Sequence, residues 1–187
     1  FMDCLVRDRA DFGYAFLDGY LDVAGDYAGL ELLAFYTVYR SLVRAKVASI
    51  EARQAVDPVP REAAHARMRR LLDWSHERLS RRAGTLYVMN GVSGSGKSHL
   101  AARLAAVLPA IRLRSDVARR VMRPDRPGTV AGYASGRYAP AQTRAVYARL
   151  NELAVPIVEQ GESVILDATF LDSDARAATV GLARGRG

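Results

Sequence analysis

Residues 87–100 read YVMNGVSGSGKSHL. An apolar, β-branched run, TLYVMN (85–90), leads into a glycine-rich turn, and SHLAARLAAVL with helical period follows it. Gly91, Gly96, Lys97 and Ser98 fit the pattern G-x-x-x-x-G-K-[ST] at every required position. The spacing has a mechanical reason. Glycines let the backbone curl until successive amides point inward at phosphate oxygens. The helix beginning near Lys97 adds the positive end of its dipole. Lys97 would reach the β- and γ-phosphates of ATP, and the Ser98 hydroxyl would sit on Mg2+. Gly91, Val92, Ser93, Gly94, Ser95, Gly96, Lys97, Ser98 and His99 therefore form the candidate nucleotide-binding loop. The rival dinucleotide pattern G-x-G-x-x-G fails, because His99 occupies its last glycine.

Working outward, AIRLR (110–114) and SVILD (163–167) read as two further strands. SDVARRVM (115–122) reads as a short helix with Ser115 or Asp116 near its cap. A helix over 141–160 carries Val146, Leu150, Leu153 and Ile157, with a kink predicted at Pro156 and a stop at Gly161. The prolines and glycines of 123–140 predict a long mobile loop. Strands alternating with helices argue a parallel sheet covered by helices on both faces. In such a sheet the carboxyl ends of the strands converge on one crevice. Asp167 ends its strand there, suited to a magnesium-bound water, and Ala168 stands where a hydrolysing motor would place a water-aligning glutamate. Asp116 lies just past the second strand, where a carboxylate can orient an acceptor hydroxyl and take its proton. Arg112, Arg114, Arg119 and Arg120 surround it as candidate clamps for an anionic acceptor.

The first 84 residues have a different texture. Phe12, Phe16 and Tyr20 stand four apart with Leu17 and Leu21 beside them, one face of a helix predicted to pack into the core. Gly25 and Asp26 stop that helix and cap the next. Leu32, Tyr36, Tyr39, Val43, Val47 and Ile50 predict a long amphipathic helix from Leu30 to about Arg53. DPVP (57–60) breaks the pattern, and a third helix over about 61–82 presents Met68, Leu71, Leu72 and Leu79 on one side. His65 and His76 there lack metal-ligand spacing. Three segments result: helical (1–56), linker and basic helix (57–84), and P-loop domain (85–187).

Of 27 basic residues only Lys46 and Lys97 are lysines, and the net charge of +7 belongs mainly to the segment with the loop, which carries +6. Anionic phosphates account for that bias, and without aromatic–basic interleaving no nucleic-acid surface is predicted. The single cysteine, Cys4, excludes an internal disulfide. No apolar run approaches the roughly 20 residues of a membrane span, and the start lacks a signal-peptide pattern, so a cytoplasmic protein is expected.

GVSGSGKSHLAARLA, IRLRSDVARR and VILDATF together resemble the small P-loop kinases that include gluconate-kinase-like and zeta-toxin-like enzymes. Over nearly its full length the chain resembles bacterial bifunctional proteins in which an aminoglycoside-phosphotransferase-like domain precedes a P-loop kinase domain. DYAGLELLAFYTVYRSLVRAKV (26–47) is similar to the last helices of the phosphotransferase half. The resemblance implies an α/β P-loop fold of kinase type preceded by an all-α segment. It implies Lys97 and Ser98 as phosphate and magnesium residues, Asp116 as the acceptor-side carboxylate and Asp167 as the metal-strand aspartate. The phosphotransferase catalytic-loop motifs do not occur in residues 1–84, so that half is expected to be a remnant.

The family strand order 2-3-1-4-5 would leave this chain with strands 2-3-1, an incomplete sheet whose open edge is a place for association. A fragment of a longer protein is thus expected. Its function would be transfer of the ATP γ-phosphate to a hydroxyl of a small-molecule acceptor. The alternatives are a nucleotide-dependent regulatory or ATPase module, or an inactive remnant of a longer bifunctional kinase.

Overall fold

The computed structural model describes residues 1–122 and 139–184. The loop predicted over 123–140 falls almost wholly outside the described residues. Three parallel strands, β1 (Leu86–Val88), β2 (Ala110–Arg114) and β3 (Ser163–Asp167), form a sheet in the order β1-β3-β2. This is the 2-3-1 order that the family resemblance implied. β3 runs down the middle with Val164, Ile165 and Leu166 sealed from solvent, as a strand covered on both faces must be.

Alternate residues build two cores. On one face Ile111, Leu113, Val164 and Leu166 meet Val146, Leu150, Leu153 and Ile157 of α7 (Pro140–Glu159). The four predicted positions on that helix all face the sheet, and the helix runs on through Pro156. On the other face Ala101 and Ala105 of α5 (Lys97–Val107) close over Ile165. Small side chains there let the helix that follows the loop sit close to the sheet. α6 (Ser115–Met122) follows β2 directly, and α8 (Ser173–Arg184), which the sequence reading did not anticipate, follows β3.

The amino-terminal helices are α1 (Met2–Val6), α2 (Ala10–Ala24), α3 (Leu33–Gln54) and α4 (Pro58–Leu79), with a 3-10 turn over Ala28–Leu32. Gly25 closes α2 in the left-handed conformation at φ 65°, and Asp26 Oδ1 accepts the Gly29 amide at 3.0 Å in the turn that follows. α3 and α4 form an antiparallel hairpin. Ser41 Oγ donates to the Leu71 carbonyl at 3.1 Å, Arg67 pairs with Glu51, and Arg61 Nη2 donates to the Ala55 carbonyl at 2.9 Å. Pro58 and Pro60 lie within the first turns of α4, where an absent amide leaves no intrahelical bond unmade, so the helix starts earlier than predicted.

Two faces were misassigned by pattern. On α2 the predicted Leu17 and Leu21 do enter the main core, but with Tyr14, whereas the aromatic part of the predicted face points out, Phe12 and Phe16 being 56% and 65% exposed. On α3 the buried side is Thr37, Val38, Ser41, Ala45, Ala48 and Ala52, and Tyr36, Tyr39 and Val47 face outward. Small residues on that side allow close approach to α4, which large aliphatics would prevent.

α2 lies against β2 and α5, so it covers the edge of β2. The Arg114 amide, which points off that edge, donates to the Tyr27 hydroxyl at 2.9 Å. Burial pushes the Tyr27 phenol up to about 12, so it remains a neutral acceptor. At the opposite edge β1 pairs with β3 and with no other described strand. An apolar pocket of about 220 Å³ lies beside it, lined by Leu86, Ala154, Val158 and Leu182 among others.

Gly84 just before β1 shows how tightly this edge is set. A Cβ on it would lie 2.0 Å from the Glu162 carbonyl oxygen and 2.3 Å from its carbon, both backbone atoms that cannot swing aside. Gly84→Ala is expected to destabilise at or above the upper end of about 1–3 kcal/mol, read from the urea midpoint. Gly19→Ala, at an exposed position of α2 where the added methyl meets nothing within 4 Å, should instead gain about 0.5–1 kcal/mol from helix propensity.

Candidate active site

The loop between β1 and α5 is tied to the end of β3. The Met89 amide donates to the Leu166 carbonyl and the Gly91 amide to the Thr169 carbonyl, each at 3.1 Å. Gly94 and Gly96 then take φ of 80° and 84°, left-handed conformations that turn the chain into α5 with Gly96 at its N-cap. Lys97 folds back over the loop, its Nζ donating to the Val92 carbonyl at 2.6 Å.

An open cleft of about 850 Å³ lies over the carboxyl ends of the strands. One wall is the loop, through Ser93, Gly94, Gly96, Lys97, Ser98 and His99. The floor is Asp167, Ala168 and Thr169 at the end of β3. The far wall is Arg114, Ser115, Asp116 and Arg119, and α7 contributes Thr143 and Tyr147. Lys97, Ser98, Asp116, Asp167, Arg114 and Arg119, all named from sequence, thus share one cavity. Arg120 does not: its guanidinium donates to the Asp22 carbonyl on α2, and it is exposed. Gly91, Val92 and Ser95 belong to the loop but do not line the cleft. Asp116 lies in the first turn of α6, which begins at Ser115.

Asp167 is the hub of the floor. The Ser98 hydroxyl donates to its Oδ1 at 3.1 Å. Its Oδ2 receives Arg112 Nη1 at 3.4 Å and has Arg114 Nε at 3.8 Å. The register explains the convergence, because Arg114 pairs with Asp167 and Arg112 with Ile165, which puts both arginines on the Asp167 face of the sheet. Ser98 Oγ and Asp167 Oδ1 are hard oxygens 3.1 Å apart, the kind of donor that Mg2+ takes, so the two residues would fit such an ion.

Sequence reasoning missed two groups. Tyr147 links α7 to the floor: its hydroxyl lies 2.8 Å from Thr169 Oγ1 and accepts the Phe170 amide at 3.1 Å, while its ring stacks on Phe170 at 4.4 Å. This fixes the backbone that receives the Gly91 amide. The other group is acidic and comes from α2. Asp18 takes Arg112 in a two-point pair with both bonds at 2.8 Å, and Asp22 pairs with Arg114. Arg112, read as an acceptor clamp, is therefore buried and occupied. Burial opposes its charge, but the Asp18 bonds and the charges of Asp18, Asp167 and Asp22 raise its pKa above the ordinary arginine value.

A family model described as an AAA domain matches residues 86–187, more than half of the chain. The chain belongs to that family. Its AAA domain is a P-loop nucleotide-binding domain of kinase-like type, an assignment that coincides with the loop, strand order and cleft described above. The uncharacterized protein Mb2027c of Mycobacterium bovis and the uncharacterized protein Rv2004c of Mycobacterium tuberculosis are each 35% identical to it over 181 residues. The match takes in 94% of this chain and 35% of each relative, so the chain spans about a third of their length and reaches well beyond the AAA domain into the amino-terminal helices. No solved structure matches. Among the described residues no helix is long and apolar enough to cross a membrane.

Proposed function

We propose that the AAA domain transfers the γ-phosphate of ATP to a hydroxyl of a small-molecule acceptor. One observation supports the reading: Asp116 lines the same cleft as Lys97, Ser98 and Asp167, and it follows β2, across β3 from the loop that follows β1. A carboxylate there would lie on the acceptor side of the phosphates. The position after Asp167, where hydrolysing motors hold a glutamate, is a buried alanine, Ala168. Lys97 and the loop amides would bind the β- and γ-phosphates and neutralise charge that develops on them. Magnesium, when bound by Ser98 and Asp167, supplies further positive charge at those oxygens. The acceptor oxygen bonds to the γ-phosphorus as the bridging oxygen departs with ADP, and the acceptor proton passes to Asp116. Arg114 and Arg119 on the same wall would hold an anionic group of the acceptor.

The test uses the full-length protein with ATP, magnesium and a panel of hydroxylated acceptors: sugar acids, nucleosides, nucleotide sugars and RNA ends. Asp116→Asn is expected to leave ATP affinity unchanged and to lower transfer about 10²–10⁴-fold. ATP turnover that needs no acceptor and ignores Asp116→Asn would overturn the transferase reading in favour of a hydrolytic module.

A further inference from the structure

We infer that Asp18, on the amino-terminal helix α2, is a positioning residue for the metal side of the nucleotide site. The inference rests on the reading of Ser98 and Asp167 as magnesium ligands. Ninety-four positions separate Asp18 from Arg112, yet their pair is two-pronged, and Arg112 is 7% exposed. From that anchor the remaining nitrogen, Nη1, reaches two parts of the site at once, the Ser98 carbonyl at 3.1 Å and Asp167 Oδ2 at 3.4 Å. A guanidinium is planar and rigid, so fixing two of its nitrogens on Asp18 fixes where the third can go.

The charge balance makes the position matter. Asp167 is almost fully buried and has two arginines within 4 Å. Cations that close to a metal-binding carboxylate compete with the metal. Asp18 and Asp22, four residues apart on one face of α2, supply a carboxylate for each arginine. Each carboxylate draws a guanidinium's charge away from Asp167. Asp167 Oδ1, the oxygen that meets Ser98, is thereby left for the ion. Outer-shell partners that orient a ligand in this way typically matter about 10–100-fold in metal affinity. The helical segment is on this account part of the nucleotide site, and whatever moves α2 changes the metal affinity of the loop.

The experiment is a titration of ATP into the full chain at a series of Mg2+ concentrations and again in chelator, with a thermal scan of each protein to establish folding. Asp18→Asn should leave chelator-condition ATP affinity within about twofold while raising the Mg2+ concentration for half-maximal effect about 10–100-fold. Asp18→Asn combined with Arg112→Met removes the unbalanced cation as well. It should return the Mg2+ requirement to the wild-type level or below. A purely structural role for the pair would instead add the two losses, so opposite responses of the single and double variants carry the inference. An unchanged Mg2+ requirement in folded Asp18→Asn would overturn it. So would a folded double variant whose Mg2+ requirement stays above the wild-type level, a comparison that also decides the case if Asp18→Asn alone does not fold. Wild-type protein that binds ATP in neither condition would overturn the nucleotide reading on which the inference rests.

Discussion

Replacing Lys97 with alanine should weaken ATP binding by about 10²–10⁴-fold while leaving the fold intact. On the proposed reading Lys97 would donate to two phosphates, and a hydrogen bond to a charged group contributes about 1.5–3 kcal/mol, so two together amount to about 3–6 kcal/mol. Each 1.4 kcal/mol or so is tenfold in affinity, which gives the range. The fold should tolerate the change because the side-chain bond from Lys97 to the Val92 carbonyl is exposed. Surface substitutions of that kind usually fall within about 0.5 kcal/mol. Calorimetric titration beside a thermal scan separates the two effects. Equal ATP affinity in wild type and Lys97→Ala would remove the phosphate assignment of the whole loop, whatever the fate of Asp116.

That the loop could be read at all follows from its local nature. Gly91, Gly96, Lys97 and Ser98 lie within eight positions, and their geometry depends on the chain between them. β2 and β3 were equally legible, as short apolar runs bounded by turn residues, and their observed limits coincide with the predicted ones. The parallel order followed from the strand–helix alternation together with the family resemblance. Failures began where a residue's role depends on a partner far along the chain. On α2 the aromatics Phe12, Phe16 and Tyr20 were read together with Leu17 and Leu21 as one core face, yet the leucines lie equally beside Tyr14. Periodicity finds the leucines but cannot say which flank of them the core takes, and it takes the Tyr14 side. α3 was misread for a related reason: its inward face is alanine, serine and threonine, chosen by the closeness of α4 and not by hydrophobicity. Arg112 was taken for an acceptor clamp because its neighbours in sequence are Arg114 and Asp116. Its partner in space is Asp18, which no spacing rule connects to it.

The same non-local logic governs the strongest stability effect expected in the molecule. Glu162, in the turn before β3, is 2% exposed and receives both the Tyr14 hydroxyl from α2 and an ion pair from Arg78 of α4. Burial pulls the pKa of the Arg78 guanidinium below its ordinary value, and its Nε and Nη1 find no hydrogen-bond acceptor among the described residues. Three elements therefore meet on one buried carboxylate, with a guanidinium that has little else to hold it. Glu162→Ala leaves that cation buried and unpaired, which should cost about 3–5 kcal/mol. For a chain of this size that corresponds to a fall in melting temperature of about 6–20 °C. Tyr14→Phe removes one hydrogen bond to a charged acceptor and should cost less, about 1.5–3 kcal/mol. Removing all three polar groups together, by Tyr14→Phe, Arg78→Met and Glu162→Leu, should restore stability to the wild-type level or above it. Desolvation of the pair then disappears along with its attraction. If the triple variant is instead as unstable as Glu162→Ala, the ion pair is itself a net source of stability. Recovery in the triple variant would mean that the polar cluster sets how the helices seat on the sheet, and through α2 where Asp18 meets Arg112, more than how strongly they are held.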